Sequence, residues 1–136
     1  SSLMQTQLVN KLLGASKRAG IFTICQSALT PAHLVAANVP DDTPIATTEG
    51  LREFSRAILG NETELNITLA EQDNIDAALQ LSRQPDVGAI ILECTNMAPY
   101  AAAISAAPRL PVFSAYHFIC WFQSGLIPAT FTGDIT

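Results

Sequence analysis

A chain of 136 residues, 49% of them hydrophobic, is long enough for one domain with a substantial core. Its net charge is −5, and its 7 Lys and Arg residues form no basic cluster, which argues against nucleic acid as a partner because phosphate contacts need clustered cations. No apolar run reaches the roughly 20 residues of a membrane helix, and the sequence shows no basic-then-apolar secretory leader. We therefore expect a soluble, cytoplasmic protein that binds neither nucleic acid nor membrane.

The cysteines are Cys25, Cys94 and Cys120, and no two of them form a Cys-x-x-Cys pair. An odd number of cysteines without that spacing indicates neither a disulfide framework nor a zinc site. We therefore expect no bound metal, and we expect thiol chemistry from at least one of the three.

The chain begins at Ser1 directly in an amphipathic pattern, which is typical of the middle of a longer protein. Hydrophobic spacing and turn residues then predict a series of helices and strands. In chain order they are a helix at 2–13, a strand at 18–24, a helix at 31–38, a strand at 43–48, helices at 51–59 and 65–84, a strand at 88–92, a helix at 97–107, a strand at 110–114 and a helix at 116–124. The residues that follow are expected to form a loose tail.

Glycine, threonine and proline residues set several of these boundaries. Gly14 ends the first helix, while Thr30 and Pro31 suit the N-cap and first position of the second. Pro44 places the second strand near a sheet edge, because proline cannot donate to a β-ladder. Pro99 is tolerable in the first turn of its helix.

The alternation of helices and strands predicts an α/β fold. We expect a four-stranded parallel sheet with strand order 2-1-3-4, right-handed crossovers and helices on both faces. Residues 1–126 would form this lobe, and residues 127–136 a tail or truncated edge. Ligands of such sheets bind outside the carboxyl ends of the strands, where the chain reverses direction between the first and third strands.

Cys94 is the main candidate for chemistry at this edge. It follows the apolar run 88–92, which has no polar face and therefore suits a strand covered on both sides. A thiol just before a helix N-terminus is favoured as thiolate, so Cys94 could act as a base or nucleophile. Thr95 and Asn96 could cap the helix or hold a carboxylate. The alternative is a buried apolar cysteine with Asn96 as an ordinary N-cap.

Other polar residues receive weaker assignments. Cys120 lies in an aromatic helical stretch, so we expect it in the core. His33 fits an exposed position on its helix, and His117 could lie near the cleft at a helix start. Alternation sends the Glu93 side chain to the opposite side of the strand from Cys94, which favours a supporting role.

The stretch around Cys94 resembles a known family. Residues 92–96 (LECTN), followed by 97–104 (MAPYAAAI) and 110–113 (LPVF), look like the second cysteine motif of the aspartate/glutamate racemase superfamily, in its branch near hydantoin racemase. The resemblance extends to residues 1–13, 20–24, 28–34 and 121–126. It therefore covers most of the chain.

This resemblance implies a cofactor-independent racemase or epimerase built from two similar α/β lobes, each giving one cysteine to a cleft between them. Inverting a stereocentre needs an acid on one face and a base on the other. Cys94 would be one of these groups, with Thr95 and Asn96 binding the carboxylate of a small carboxylic or amino acid. Ser1 and Ser2 would touch substrate in an intact enzyme; the alternative for both is a frayed terminus.

The first cysteine of the family is expected upstream of Ser1, and Cys25 does not match its motif. We therefore expect this chain alone to have little or no racemase activity. The resemblance also allows Cys94 to be a nucleophile or the sole proton donor, as in isomerase- or decarboxylase-like relatives.

A different class of function is a non-catalytic small-acid binding or assembly domain with the same fold. In either case the aromatic run 116–122 would be left partly uncovered, so we expect a homo-oligomer.

Overall fold

A computed structural model describes residues 1–133 of the chain. The strands are β1 (Arg18–Thr23), β2 (Ile45–Thr47), β3 (Val87–Leu92) and β4 (Val112–Phe113). The α-helices are α1 (Thr6–Leu13), α2 (Pro31–Ala36), α3 (Phe54–Leu59), α4 (Ile67–Ser82), α5 (Ala101–Ala106) and α6 (Ala115–Leu126). Two 3₁₀ helices, Ser2–Gln5 and Thr95–Tyr100, precede α1 and α5.

The sheet confirms the predicted α/β fold. Its strands are all parallel and lie in the order β2-β1-β3-β4. Because parallel neighbours need long crossovers, each pair of strands is joined through helices. The paired strands β1 and β3 are central, and their carboxyl ends lie at the predicted reversal of chain direction.

The core has two halves, one on each face of the sheet. Ile90 and Leu92 of β3 pack in one cluster with residues of α3, α4 and α5, whereas Ala89 and Ile91 pack in another with Val9 of α1. All four β3 residues are completely buried. Burying a large aliphatic side chain is worth about 1.5–3 kcal/mol, so this uninterrupted run stabilises both helix layers.

A glycine in β1 allows α4 to pack closely on the sheet. A Cβ at Gly20 would lie 2.8 Å from Cδ2 of Leu81, too short for a carbon–carbon contact. At the amino edge of the sheet, Arg18 pairs with Asp86 (Nε to Oδ2, 2.6 Å) and with Asp42 (Nη1 to Oδ2, 2.9 Å). These contacts hold the beginning of β1 against the loops before β2 and β3.

Some predicted boundaries were wrong. The helix predicted at 2–13 is a 3₁₀ helix followed by α1, and the one predicted at 97–107 begins as the 3₁₀ helix Thr95–Tyr100. Pro99 lies inside that 3₁₀ helix, where its missing N–H prevents a regular α-helical ladder. The fourth strand shortens to Val112–Phe113, since it pairs only with β3.

The placement of Cys120 in the core was also wrong. Cys120 is exposed, and no residue of α6 is buried. Residues 127–133 of the expected tail are exposed and form neither helix nor strand, and residues 134–136 lie outside the described range. Within residues 1–133, no helix combines the length and apolar character that crossing a membrane requires.

A buried carboxylate organises the start of α3. Oδ2 of Asp73 accepts hydrogen bonds from the backbone N–H groups of Glu53 (2.6 Å) and Phe54 (3.0 Å). Oδ1 accepts from Nε of Arg52 at 2.9 Å. Burial disfavours the charge of Asp73, but the Phe54, Glu53 and Arg52 hydrogen bonds outweigh it, and the pKa of Asp73 lies below its ordinary value.

We expect Asp73→Asn to lower the free energy of unfolding by about 2–3 kcal/mol, because hydrogen bonds to a charged group are lost in a buried site. Since the folded pKa of Asp73 is depressed, its contribution is complete above the unfolded pKa of about 3.9 and disappears as the pH falls from there through the folded pKa. Urea unfolding from pH 7 to pH 3 measures both effects.

The matched control is Asp76→Asn, because Asp76 also binds Arg52 (Oδ2 to Nη2, 2.8 Å) but is largely exposed. This exposed pair should contribute no more than about 1 kcal/mol. Equal losses in the two variants would show that the Asp73 cap does not stabilise α3.

Candidate functional site at the carboxyl edge of the sheet

The ends of β1 and β3 remain side by side beyond the last paired residues. The N–H of Glu93 donates to the carbonyl of Phe22 at 2.8 Å, and Thr23 Oγ1 donates to Glu93 Oε2 at 2.9 Å. The polar residues that follow the two strands are therefore brought to one edge. These include Cys25 after β1 and Cys94 after β3, both half-buried and both packed against the cluster on the α4 face.

Cys94 occupies the N-cap position of the 3₁₀ helix Thr95–Tyr100. Burial raises the pKa of its thiol above the ordinary value, and the neighbouring Glu93 charge adds to this. The N–H groups of Asn96 and Met97 act in the opposite direction but do not outweigh burial. The expectation that the helix start favours the thiolate form of Cys94 was therefore wrong, because the net shift of its pKa is upward. A short 3₁₀ helix supplies only these local N–H groups to oppose burial.

Thr95 and Asn96 lie at the same edge and are both exposed. Asn96 is not the N-cap, because Cys94 holds that position with an extended backbone. Within residues 1–133, neither side chain forms a hydrogen bond. The structure thus places a hydroxyl and an amide beside the thiol and leaves both pointing to the surface.

The two serines at the start of the chain differ. Ser1 is exposed, and its Oγ accepts from the N–H of Leu3 at 3.3 Å. Ser2 is buried, and its Oγ lies 3.1 Å from Nε2 of Gln5, which also lies 3.2 Å from the carbonyl oxygen of Ser114. Ser2 is therefore fixed by burial and by its hydrogen bond with Gln5, whereas Ser1 lines a cavity.

That cavity, of about 350 Å³, has Ser1 and Met4 on one side and Glu93 on another. A second cavity of about 200 Å³ includes Thr23 and Cys25, and it also has Glu93 in its wall. His33 and Leu29 line both. Sequence analysis gave Glu93 only a supporting role because of strand alternation, and His33 only an exposed position on its helix. Their shared place in two cavities depends on tertiary packing, which the sequence pattern does not show.

Cys25 belongs to a polar cluster that the sequence pattern did not indicate. Its Sγ lies 3.3 Å from Oγ of Ser27 and 3.4 Å from Oε1 of Glu49. The hydroxyl and the N–H of Ser27 both donate to Glu49, and these bonds lower the pKa of the Glu49 carboxyl. The residues lie after β1 and β2, so only knowledge of the strand order could have brought them together.

The two histidines lie on different helices and line different cavities. His33 is exposed on α2, as predicted, and its Nδ1 accepts from the N–H of Thr30 at 3.2 Å. His117 is in the first turn of α6, with Nδ1 2.9 Å from Oγ of Ser114 after β4. In the described part of the chain, no group of His, Cys, Asp and Glu residues is arranged to hold a metal ion.

Comparison with known proteins gives limited information. No family model matches the chain, and no solved structure matches it. It is 29% identical over 127 residues to dimethylsulfoniopropionate lyase 3 of Emiliania huxleyi. The similarity covers 85% of this chain but 32% of that protein, so the chain spans about a third of the length of this relative.

The raised pKa of Cys94 leads to a prediction about its reactivity. Because the thiolate is the nucleophile, iodoacetamide at pH 7 should modify Cys94 more slowly than a model thiol. Its rate should continue to rise with pH beyond about 8.5, the pKa at which a model thiol levels off. Peptide mass spectrometry across a pH series measures this rate.

Cys120, which is exposed, serves as the internal control in the same sample. Modification of Cys94 ahead of Cys120 at neutral pH would contradict the prediction and indicate that the Asn96 and Met97 amides dominate.

Proposed function

We propose that this chain is one lobe of a cofactor-independent enzyme that moves a proton at the carbon next to a carboxylate, as racemases and epimerases do. The observation that carries the proposal is the position of Cys94, half-buried at the carboxyl end of β3 and beside the N–H groups of Asn96 and Met97. The resemblance of residues 92–104 to the second cysteine motif of the aspartate/glutamate racemase superfamily supports it.

The protonation state of Cys94 favours one of the two roles in such a reaction. A thiol with a raised pKa is protonated at rest, so Cys94 is poised to donate a proton to a carbanion on the face that it meets. The thiolate formed would then be stabilised by the Asn96 and Met97 amides. In the reverse direction the same thiolate would remove the proton.

The substrate carboxylate is assigned to the exposed Thr95 and Asn96 side chains, which lie next to Cys94 in the chain. A hydroxyl and an amide can both donate to carboxylate oxygens. Stabilising the negative charge there also stabilises the enolate that forms when the neighbouring carbon loses its proton. A second acid/base group is needed on the opposite face, and the resemblance assigns it to the lobe upstream of Ser1.

A second candidate function is a lyase, and the similarity to dimethylsulfoniopropionate lyase 3 favours it. Such a reaction can begin in the same way, with removal of a proton next to a carboxylate. The carbanion then forms a carbon–carbon double bond, and the group on the next carbon leaves with the electron pair of its bond. Cys94 would serve here as the base in its thiolate form, which the Asn96 and Met97 amides favour, and no second thiol would be required.

The proposal predicts that the chain alone exchanges the α-hydrogens of small carboxylates with D2O at little more than the uncatalysed rate. A longer polypeptide that adds the upstream lobe should exchange them, and Cys94→Ser should lower that rate by about 100-fold or more. Proton NMR of the substrate measures exchange, and the products distinguish racemisation from elimination.

Cys120→Ser is the matched control, since Cys120 is an exposed thiol on α6 with no assigned role in the reaction, and it should leave the rate unchanged. Turnover by the chain alone at the rate of the longer polypeptide would contradict the two-lobe requirement. An unchanged rate in Cys94→Ser would show that the thiol takes no part in the reaction. It would favour the alternative of a non-catalytic small-acid binding or assembly domain.

We also propose that the protein self-associates through α6 and α1. The helix α6 has no charged residue and no buried one, and Ile119, Trp121 and Phe122 are 59–64% exposed. Leu8 and Leu12 of α1 are also exposed and line an apolar groove of about 290 Å³ between the two helices. A continuous apolar surface of this kind is typical of an interface.

Sedimentation should therefore show a concentration-dependent dimer or larger species. Trp121→Asp should shift the equilibrium towards monomer, because it places a charge in the centre of the apolar surface. The control is Val35→Asp on α2, where the side chain is 65% exposed, close to the 63% of Trp121. A strict monomer at high concentration would contradict the proposal.

A further inference from the structure

Ser114 and His117 form a hydrogen-bonded pair at the point where β4 leads into α6. The Oγ atom of Ser114 lies 2.9 Å from Nδ1 of His117. Ser114 follows the last residue of β4 and is the N-cap of α6, so it is the turn between strand and helix. A serine hydroxyl in hydrogen-bond contact with an imidazole base can be activated as a nucleophile, and a strand-to-helix turn is one of the places where such serines occur.

Helix capping does not use up the hydrogen-bonding capacity of Ser114. Its Oγ accepts from the N–H of His117 at 3.5 Å, which occupies a lone pair of the oxygen and leaves the hydroxyl proton free. That proton can be donated to Nδ1 of the neutral imidazole ring. His117 is therefore placed to take the proton when the oxygen of Ser114 attacks.

The backbone of Ser114 is fixed by a buried amide side chain. Nε2 of Gln5 donates to the carbonyl oxygen of Ser114 at 3.2 Å and to Oγ of Ser2 at 3.1 Å. Gln5 is 7% exposed, and both serines are 2% exposed. The hydroxyl is therefore held beside the imidazole before any substrate binds, as a reactive pair requires.

The pair lines a cavity of about 560 Å³ between the start of α6 and the segment 98–105. This volume is within the range of small-molecule sites. Three alanines, Ala98, Ala101 and Ala102, form part of the wall, and their short side chains leave room for an acyl group. Cys94 is not among the lining residues, so this cavity is distinct from the surroundings of the candidate thiol.

The first turn of α6 supplies backbone donors next to Ser114. The first N–H groups of a helix have no intrahelical partner. The N–H of His117 donates to Ser114 Oγ and that of Phe118 to the Ser114 carbonyl. Those of Ala115 and Tyr116 remain, and the N–H that follows a serine nucleophile is a position from which an oxyanion is stabilised in α/β hydrolases.

We propose that Ser114 and His117 form a second reactive site, which hydrolyses small carboxylic esters. Nδ1 of His117 takes the hydroxyl proton as Oγ of Ser114 bonds to the ester carbonyl carbon, and the N–H of Ala115 stabilises the oxyanion. The bond from that carbon to the leaving oxygen then breaks, and the alcohol departs with the proton from His117. Water, deprotonated by the same imidazole, attacks the acyl-serine, releases the carboxylic acid and restores the hydroxyl. The site does not depend on the role proposed for Cys94.

The test uses diisopropyl fluorophosphate, because serine nucleophiles displace its fluoride and the label on serine is stable to digestion. Peptide mass spectrometry of the labelled chain should find the phosphoryl group on Ser114, a result that needs no variant to fold. His117→Gln should lower the labelling rate by about 100-fold, because glutamine can still form a hydrogen bond to Ser114 but cannot take its proton. Urea unfolding of that variant checks that the fold is retained.

Ser105 and Ser124 are internal controls in the same sample. Ser105 lines the same cavity, but its hydroxyl donates to the carbonyl of Leu110 at 2.7 Å. Ser124 is exposed on α6 and donates to the carbonyl of Trp121 at 2.6 Å. Both should stay unlabelled, since neither hydroxyl meets an imidazole. Equal labelling of these serines, no label on Ser114 at millimolar reagent, or an unchanged rate in His117→Gln would each overturn the proposal.

Discussion

The parallel pairing of β1 with β3 is the constraint on which the rest of the structure depends. Ile21 and Ile91 are partners in this ladder, and both are completely buried. Because helices cover both faces, a polar side chain within either strand is buried and needs a hydrogen-bond partner, as Thr23 at the end of β1 has in Glu93. The polar residues therefore gather just beyond the carboxyl ends, and the location of the candidate site follows from the packing of the core.

Much of the fold could be predicted from the sequence because its signals are local. The uninterrupted apolar run at 88–92 and the turn at Pro85 and Asp86 identify the central strand, and the alternation of helices and strands indicates a parallel sheet. The position of α6 could not be predicted in this way. An aromatic pattern of this kind is found both in helices buried within a domain and in helices with an exposed apolar face. For this reason the prediction placed Cys120 in the core.

The site was predictable in part. The position of Cys94 at a strand end follows from the local pattern. Its pKa depends on whether burial, which raises it, outweighs two backbone N–H groups, which lower it, and this balance is set by tertiary structure. The contact of Thr23 with Glu93 and that of Cys25 with Glu49 join residues distant in the chain. These contacts depend on the order of the strands, so they cannot be predicted from residue spacing.

The absence of charge on α6 has a consequence for how the protein responds to salt. The net charge of −5 keeps copies apart by repulsion, but none of it lies on α6 itself. Added salt screens that repulsion at separations beyond the Debye length, which is about 8 Å at physiological ionic strength, and salts such as sulfate strengthen apolar association. Contacts made through this helix would therefore tighten as ionic strength rises, opposite to the behaviour of an interface held by ion pairs.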